Sequence, residues 1–250
     1  MPFEKRRRPT SRPVLDLPPP FRLVMLREVG DAFAHALRIA GQEGAGTLVY
    51  VGRFDLAEFA VVLEPEEPLR TARRALYAGL VAVADALAVH APPERPVNFD
   101  WPDAILVDGA LVGGARLDWP QGAHEAEPPE WLVFGAMIRT GVVGDEEPGL
   151  RPLSSALEQE GFDDLGSGRL VESFSRHLMA ALDTWQAHGF GEIGKTYLAR
   201  LPAVSGVRRE LADNGDLLIR RMNGEEERRP LTPALAQPSW LDTATRAPRR

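Results

Sequence analysis

The 250-residue chain contains no cysteine, and lysine is scarce, Lys195 being one of very few. The first absence removes disulfides, thiolate metal sites and cysteine nucleophiles together and is compatible with a reducing compartment. No segment approaches the ~20 uninterrupted apolar residues of a membrane helix. The basic start at Lys5-Arg6-Arg7-Arg8 lacks the apolar run that a signal peptide would add. A cytoplasmic protein with no membrane partner is therefore expected. Positive charge is also in deficit: 29 Lys and Arg stand against 36 Asp and Glu, a net charge of −7. Nucleic-acid binding depends on neutralising phosphates with a basic face, so nucleic acid is not an expected partner. The basic cluster beside Pro9 and Pro13 reads as a solubilising tail rather than a nucleic-acid arm. His35, His177 and His188 show no metal-ligand spacing, and the GEIGK run at 191–195 lacks the spacing and preceding strand of a phosphate loop.

A hydrophobic content of 44% is enough for a packed core, in one substantial domain or one domain with a small appendage. A flexible, Pro-rich, basic leader is expected over residues 1–20, ending at Pro18-Pro19-Pro20. After it, Arg22 to Val29 reads as a strand, and Asp31 can cap a helix to about Gln42. Strands follow from Thr47 to Val51 and from Glu58 to Leu63. Leu69, Ala72, Leu76, Leu80, Val83 and Leu87 then recur at helical spacing, predicting one long helix that packs on one face and stops at Pro92-Pro93. Trp131 to Ile138 is a further strand, Val142 to Pro152 a loop, and Ser154 can cap a short helix. Helices are expected from Arg169 to about His188 and from Ile193 to Leu201, ending at Pro202. The pattern predicts an α+β domain over 21–202, a mainly antiparallel central sheet with helices packed on one side. Beyond it, Asn214-Gly215 and Asn223-Gly224 punctuate a small β-meander in a C-terminal module, 203–250. Its last residues read as a loosely packed extension in which Trp240 and Leu241 can dock back.

The densest signal lies in Val97 to Trp119, VNFDWPDAILVDGALVGGARLDW. Pro102 pushes Trp101 into an extended conformation, Ala104 to Val107 reads as a buried strand, and Asp108-Gly109 is a strong hairpin signal. The returning strand carries Gly113-Gly114 where side chains are normal, which points to a bulge or to a ligand lying close to the backbone.

This segment resembles the central motif of the biotin/lipoate protein ligase family, a Lys-Trp-Pro-Asn-Asp turn followed by a strand, a hairpin and a Lys-x-x-Gly strand. Trp101, Pro102, Ile105, Asp108-Gly109 and Gly114 match. Asp100 stands in place of the first lysine, Asp103 of asparagine, Ala104 of aspartate, and Leu111 of the catalytic lysine. By order of elements the resemblance runs from Arg22 to Pro202. It implies activation of a carboxylic acid (biotin, lipoate or octanoate) by ATP and Mg²⁺, then transfer to a lysine of a biotinyl or lipoyl carrier domain. The ligand-binding positions it implies are Gly52, Arg53, Trp101, Asp103, Leu111, Gly113, Gly114 and Gly135.

Departures from the motif divide the functional reading. Val51-Gly52-Arg53-Phe54-Asp55 keeps one Gly-Arg pair in place of a long Gly/Arg loop, and Arg53 is either an anion clamp or a surface ion-pair residue. Asp100 and Asp103 either hold Mg²⁺ or, for Asp103, cap the turn. Strand alternation puts Arg116 on the face opposite Leu111, so it does not replace the lysine. One reading is a divergent ligase or acyltransferase with an apolar wall at Leu111. The alternative is a catalytically degenerate member that binds an acyl group, a cofactor or a carrier domain.

Overall fold

The computed structural model describes residues 15–142, 153–163 and 165–249. Leu15 is buried in the main core and Leu17 packs on it, within the span expected as leader. Most of the expected leader, residues 1–14, and most of the expected loop, residues 143–152, lie outside the described residues.

Seven strands form one sheet in the order β1-β2-β3-β7-β6-β5-β4. They are β1 (Arg22–Leu26), β2 (Thr47–Gly52), β3 (Leu56–Leu63), β4 (Val97–Asp100), β5 (Ala104–Val107), β6 (Ala110–Asp118) and β7 (Leu132–Arg139). Only β1 and β2 pair in parallel; every other pairing is antiparallel. The Asp108-Gly109 turn has φ of 48° and 83°, the left-handed pair that a two-residue hairpin requires. β3 pairs with β7 along its whole length, from Leu56↔Arg139 to Leu63↔Leu132.

Alternation in the central strands splits the core in two. Leu48, Tyr50, Phe59, Val61 and Phe134 face one side, and Val49, Val51, Ala60, Val62 and Val133 the other. The first side carries α3 (Ala75–Ala88), α4 (Ser167–His188) and α5 (Phe190–Ala199). Helix α3 is buried nearly all round, between the sheet and α4 and α5, rather than on a single face. Gly79 makes this possible: a Cβ there would lie 2.2 Å from the Phe134 ring. The second side carries α1 (Ala32–Glu43), whose N-cap Asp31 accepts from the Ala34 N–H at 2.8 Å. Helices thus cover both faces, not one as the pattern predicted.

Two further expectations are corrected. The long helix is interrupted: α2 (Leu69–Ala72) ends at Arg73, because tertiary partners hold the Arg73-Arg74 pair. Arg73 is buried, bonded to Glu125 and Thr232 and stacked over Trp119, while Arg74 pairs with Glu67 and lies over Phe190. Ser154 starts no helix; it bridges Leu111 in parallel, with the Leu111 N–H donating to the Leu153 carbonyl.

The meander β8 (Val207–Leu211), β9 (Leu217–Arg221) and β10 (Glu226–Arg229) forms as read, closed by the two Asn-Gly turns. Asp216 fastens it to α6 (Leu231–Leu235), accepting from the Leu231 N–H and from Arg228, and the Tyr77 hydroxyl donates to the Gly215 carbonyl. The chain ends in a two-strand hairpin, β11 (Leu241–Asp242) and β12 (Ala247–Pro248), lying on β6 and β7. No described helix is long and apolar enough to cross a membrane.

Candidate functional site

The α1 side of the sheet is only partly covered by its helix, and the remainder presents Leu56 and Glu58 of β3, Ala104 of β5, Leu111, Gly114 and Arg116 of β6, and Met137 of β7. A register shift between Ile105 and Leu106 brings these residues to one face. Ile105 pairs with Gly113 and Leu106 with Leu111, skipping Val112. Such a bulge resets the alternation, so that Val112 and Ala115 both face the main core while Leu111 and Gly114 face the other way. Arg116 consequently shares the face of Leu111, contrary to simple alternation.

Leu56, Ala104, Met137 and Leu111 line an apolar pocket whose floor is the bare backbone of Gly114. The Trp240 indole fills it. A Cβ on Gly114 would stand 2.3 Å from the Trp240 ring, and Trp240 is 1% exposed. Its indole N–H donates to the Ala115 carbonyl at 3.1 Å. A tryptophan buries on the order of 200 Å², worth roughly 5 kcal/mol at 25 cal/mol per Å², so this contact is a substantial one. The docking of Trp240 and Leu241, expected only in general terms, thus falls on the strand that carries the motif.

Asp103 closes one end of the pocket. It is 1% exposed; one carboxylate oxygen accepts from the Ser239 hydroxyl at 3.1 Å and the other has no partner among the described residues. Burial pushes its pKa up to about 7, against the opposing hydrogen bonds of Ser239, with Asp100 adding to the rise. Farther along β6 on the same face, Arg116 lies over the Phe33 ring at 4.2 Å and 3.9 Å from Asp31, and burial lowers its pKa. Glu58, also buried, accepts from the Ala32 N–H at 2.8 Å, and burial raises its pKa. An apolar slot bordered by a buried carboxyl, with a guanidinium farther along the same strand face, can hold an apolar chain with a polar head.

The other expected positions lie around this slot or away from it. Gly113 touches backbone, since a Cβ there would be 1.9 Å from the Met137 carbonyl oxygen. Gly135 lies under Phe33, whose ring would be 2.4 Å from an added Cβ. Gly52 and Arg53 sit at the β2–β3 turn, where Arg53 clamps Asp55 through two hydrogen bonds of 3.1 and 2.7 Å. That pairing raises the arginine pKa and lowers that of Asp55. Trp101 follows the main core instead: its indole N–H donates to the Tyr77 hydroxyl, and its peptide bond to Pro102 is cis. With Asp100 it lines a cleft of about 240 Å³ against Pro202, Arg209, Arg221 and Arg229. Asp100 is exposed to that cleft whereas Asp103 is sealed under Ser239, so the two carboxylates do not fit a shared Mg²⁺ site. Among the described residues no three His, Asp or Glu side chains cluster as metal ligands. Sequence reasoning missed Glu58, Met137 and Ser239; only the Gly-Gly strand signalled that another group would lie against the backbone.

The model of the biotin/lipoate A/B protein ligase family matches residues 17–199. The chain is 25% identical over 206 residues to the biotin–[acetyl-CoA-carboxylase] ligase of Paracoccus denitrificans, covering 74% of this chain and 81% of that protein. A biotin protein ligase-like protein of unknown function from Silicibacter sp. TM1040 superposes with a TM-score of 0.76 at 28% identity, covering 90% of this chain and all of the other. The biotin protein ligase of Aquifex aeolicus in complex with biotin and ATP superposes with a TM-score of 0.61 at 17% identity, covering 82% and 94%.

Proposed function

The chain belongs to the biotin/lipoate A/B protein ligase family, and within it we propose that this member binds an acyl, biotinyl or lipoyl group in the apolar slot over Gly114 without activating it through ATP. The observation that carries this reading is the state of the cations. Leu111 occupies the position of the family lysine as the resemblance aligns it, and Arg53 is neutralised by Asp55. Acyl-adenylate chemistry develops negative charge on carboxylate and phosphate oxygens and needs fixed, unpaired donors to stabilise it. Apolar binding needs only the slot, which Leu111 and Met137 make more hydrophobic. The natural ligand is then a carboxylic acid with an apolar chain, or that group already attached to a carrier domain, and the expected location is the cytoplasm.

Titration calorimetry of the purified protein with biotin, lipoate and octanoate, alongside ATP–pyrophosphate exchange, tests this. Saturable binding of at least one acid with no exchange is the expected result, and exchange with any of them overturns it. A second reading, acid activation in this protein, is favoured by the side on which Arg116 lies: a guanidinium on the face of Leu111 and Gly114 can stand in for the missing ammonium. That reading predicts exchange that Arg116→Gln abolishes.

A further inference from the structure

The pocket that a ligand would use is filled by the chain itself, and the way the filling segment is held differs from the rest of the core. Leu231 anchors α6 in the main core, but Thr232, Pro233, Ala236 and Gln237 after it are exposed, and so are Thr243 to Arg246 at the tip of the terminal hairpin. Between these exposed stretches, Trp240 and Leu241 are buried, joining only the small cluster on the α1 side. Among the described residues the polar attachments to the sheet are Ser239 to Asp103, the Trp240 indole to the Ala115 carbonyl, and Arg139 to the carbonyls of Pro248 at 2.6 Å and Arg249 at 3.4 Å. Within the segment, Arg249 donates to the carbonyls of Trp240 and Leu241. If the segment moves it keeps its internal bonds and breaks those to Asp103, Ala115 and Arg139, and the exposed residues before it let it swing without dragging the meander.

We propose that residues 237–249 form a detachable plug, with the Trp240 indole as the resting occupant of the acyl slot, and that a carboxylic acid of similar bulk enters by displacing it. The inference rests on the slot being the acyl site. It makes ligand affinity the product of intrinsic affinity and the fraction of molecules with the plug out, so loosening the plug tightens binding.

Hydrogen exchange on the full-length protein, read by mass spectrometry with and without biotin, lipoate and octanoate, tests the plug first. Amides of 239–249 are expected to exchange at least a hundredfold faster than those of β6 and β7, and faster still with a bound acid. Exchange of both regions at one common rate overturns the plug. Calorimetric titration of Trp240→Ala, with Ser239→Ala as the milder variant, tests displacement. At least tenfold tighter binding of an acid than by the unaltered protein supports it. Equal, measurable affinity overturns displacement while leaving the acyl slot standing. Absence of binding by every variant overturns the slot reading itself, and the plug inference with it.

Discussion

Asp103→Asn separates the electrostatic cost of the buried carboxyl from its hydrogen bonds, because asparagine keeps the acceptor facing Ser239 and removes the charge. Burial raises the Asp103 pKa from 3.8 to about 7. A raised folded-state pKa means that the native protein holds a proton the unfolded chain has already lost. The stability this group contributes is complete below about pH 4 and declines as pH rises to about 7, after which the loss is constant. At 1.36 kcal/mol per unit, the three-unit shift amounts to about 4 kcal/mol over the whole range. Between pH 5 and pH 8.5 the part still to be lost is about 3 kcal/mol. The asparagine variant has no such dependence, so its stability relative to the unaltered protein should improve by about 3 kcal/mol from pH 5 to pH 8.5. It should be near neutral at the acid end, where the carboxyl is also protonated. Urea unfolding of both proteins at matched pH values measures this, since every other titration cancels in the difference. A difference that stays flat across pH would refute the claim that Asp103 is buried with its charge uncompensated.

Three further outcomes follow from packing and charge. Gly79→Ala drives a methyl into the Phe134 ring and should cost about 2 kcal/mol or more, a drop of roughly 5 °C or more in melting temperature. Asp216→Asn should act with the opposite sign to Asp103→Asn. Burial pushes the Asp216 carboxyl up, but bonds from Leu231, Asn214 and Arg228 outweigh it and hold the pKa low. Its contribution is thus present at neutral pH and lost in acid, and the variant should be about 1–2 kcal/mol less stable at pH 7 by urea unfolding. Asp55→Asn releases Arg53 from its clamp and should strengthen inorganic pyrophosphate binding several-fold in calorimetry; unchanged binding would place Arg53 outside any anion site.

What could be read without the structure is what is decided within a few residues. The Asp108-Gly109 and Asn-Gly turns, the Asp31 cap and the span of α4 are short-range matters of turn chemistry, capping and helical period. The Trp-Pro hairpin motif, carried by such local features, was enough to suggest the family. Alternation then failed at β6, because a bulge is set by the register of two paired strands and resets which face every later residue takes. That one shift put Arg116 on the face of Leu111 and Gly114. Helical spacing likewise ran through Arg73-Arg74, where ties to Glu125, Thr232 and Phe190 break the helix. The occupant of the slot lay furthest from view: Trp240 meets Ala115 across a separation of 125 residues. No periodicity within a window spans that distance, so the glycine strand could announce that something lies against it, and only the packed chain could decide that the something is its own tryptophan.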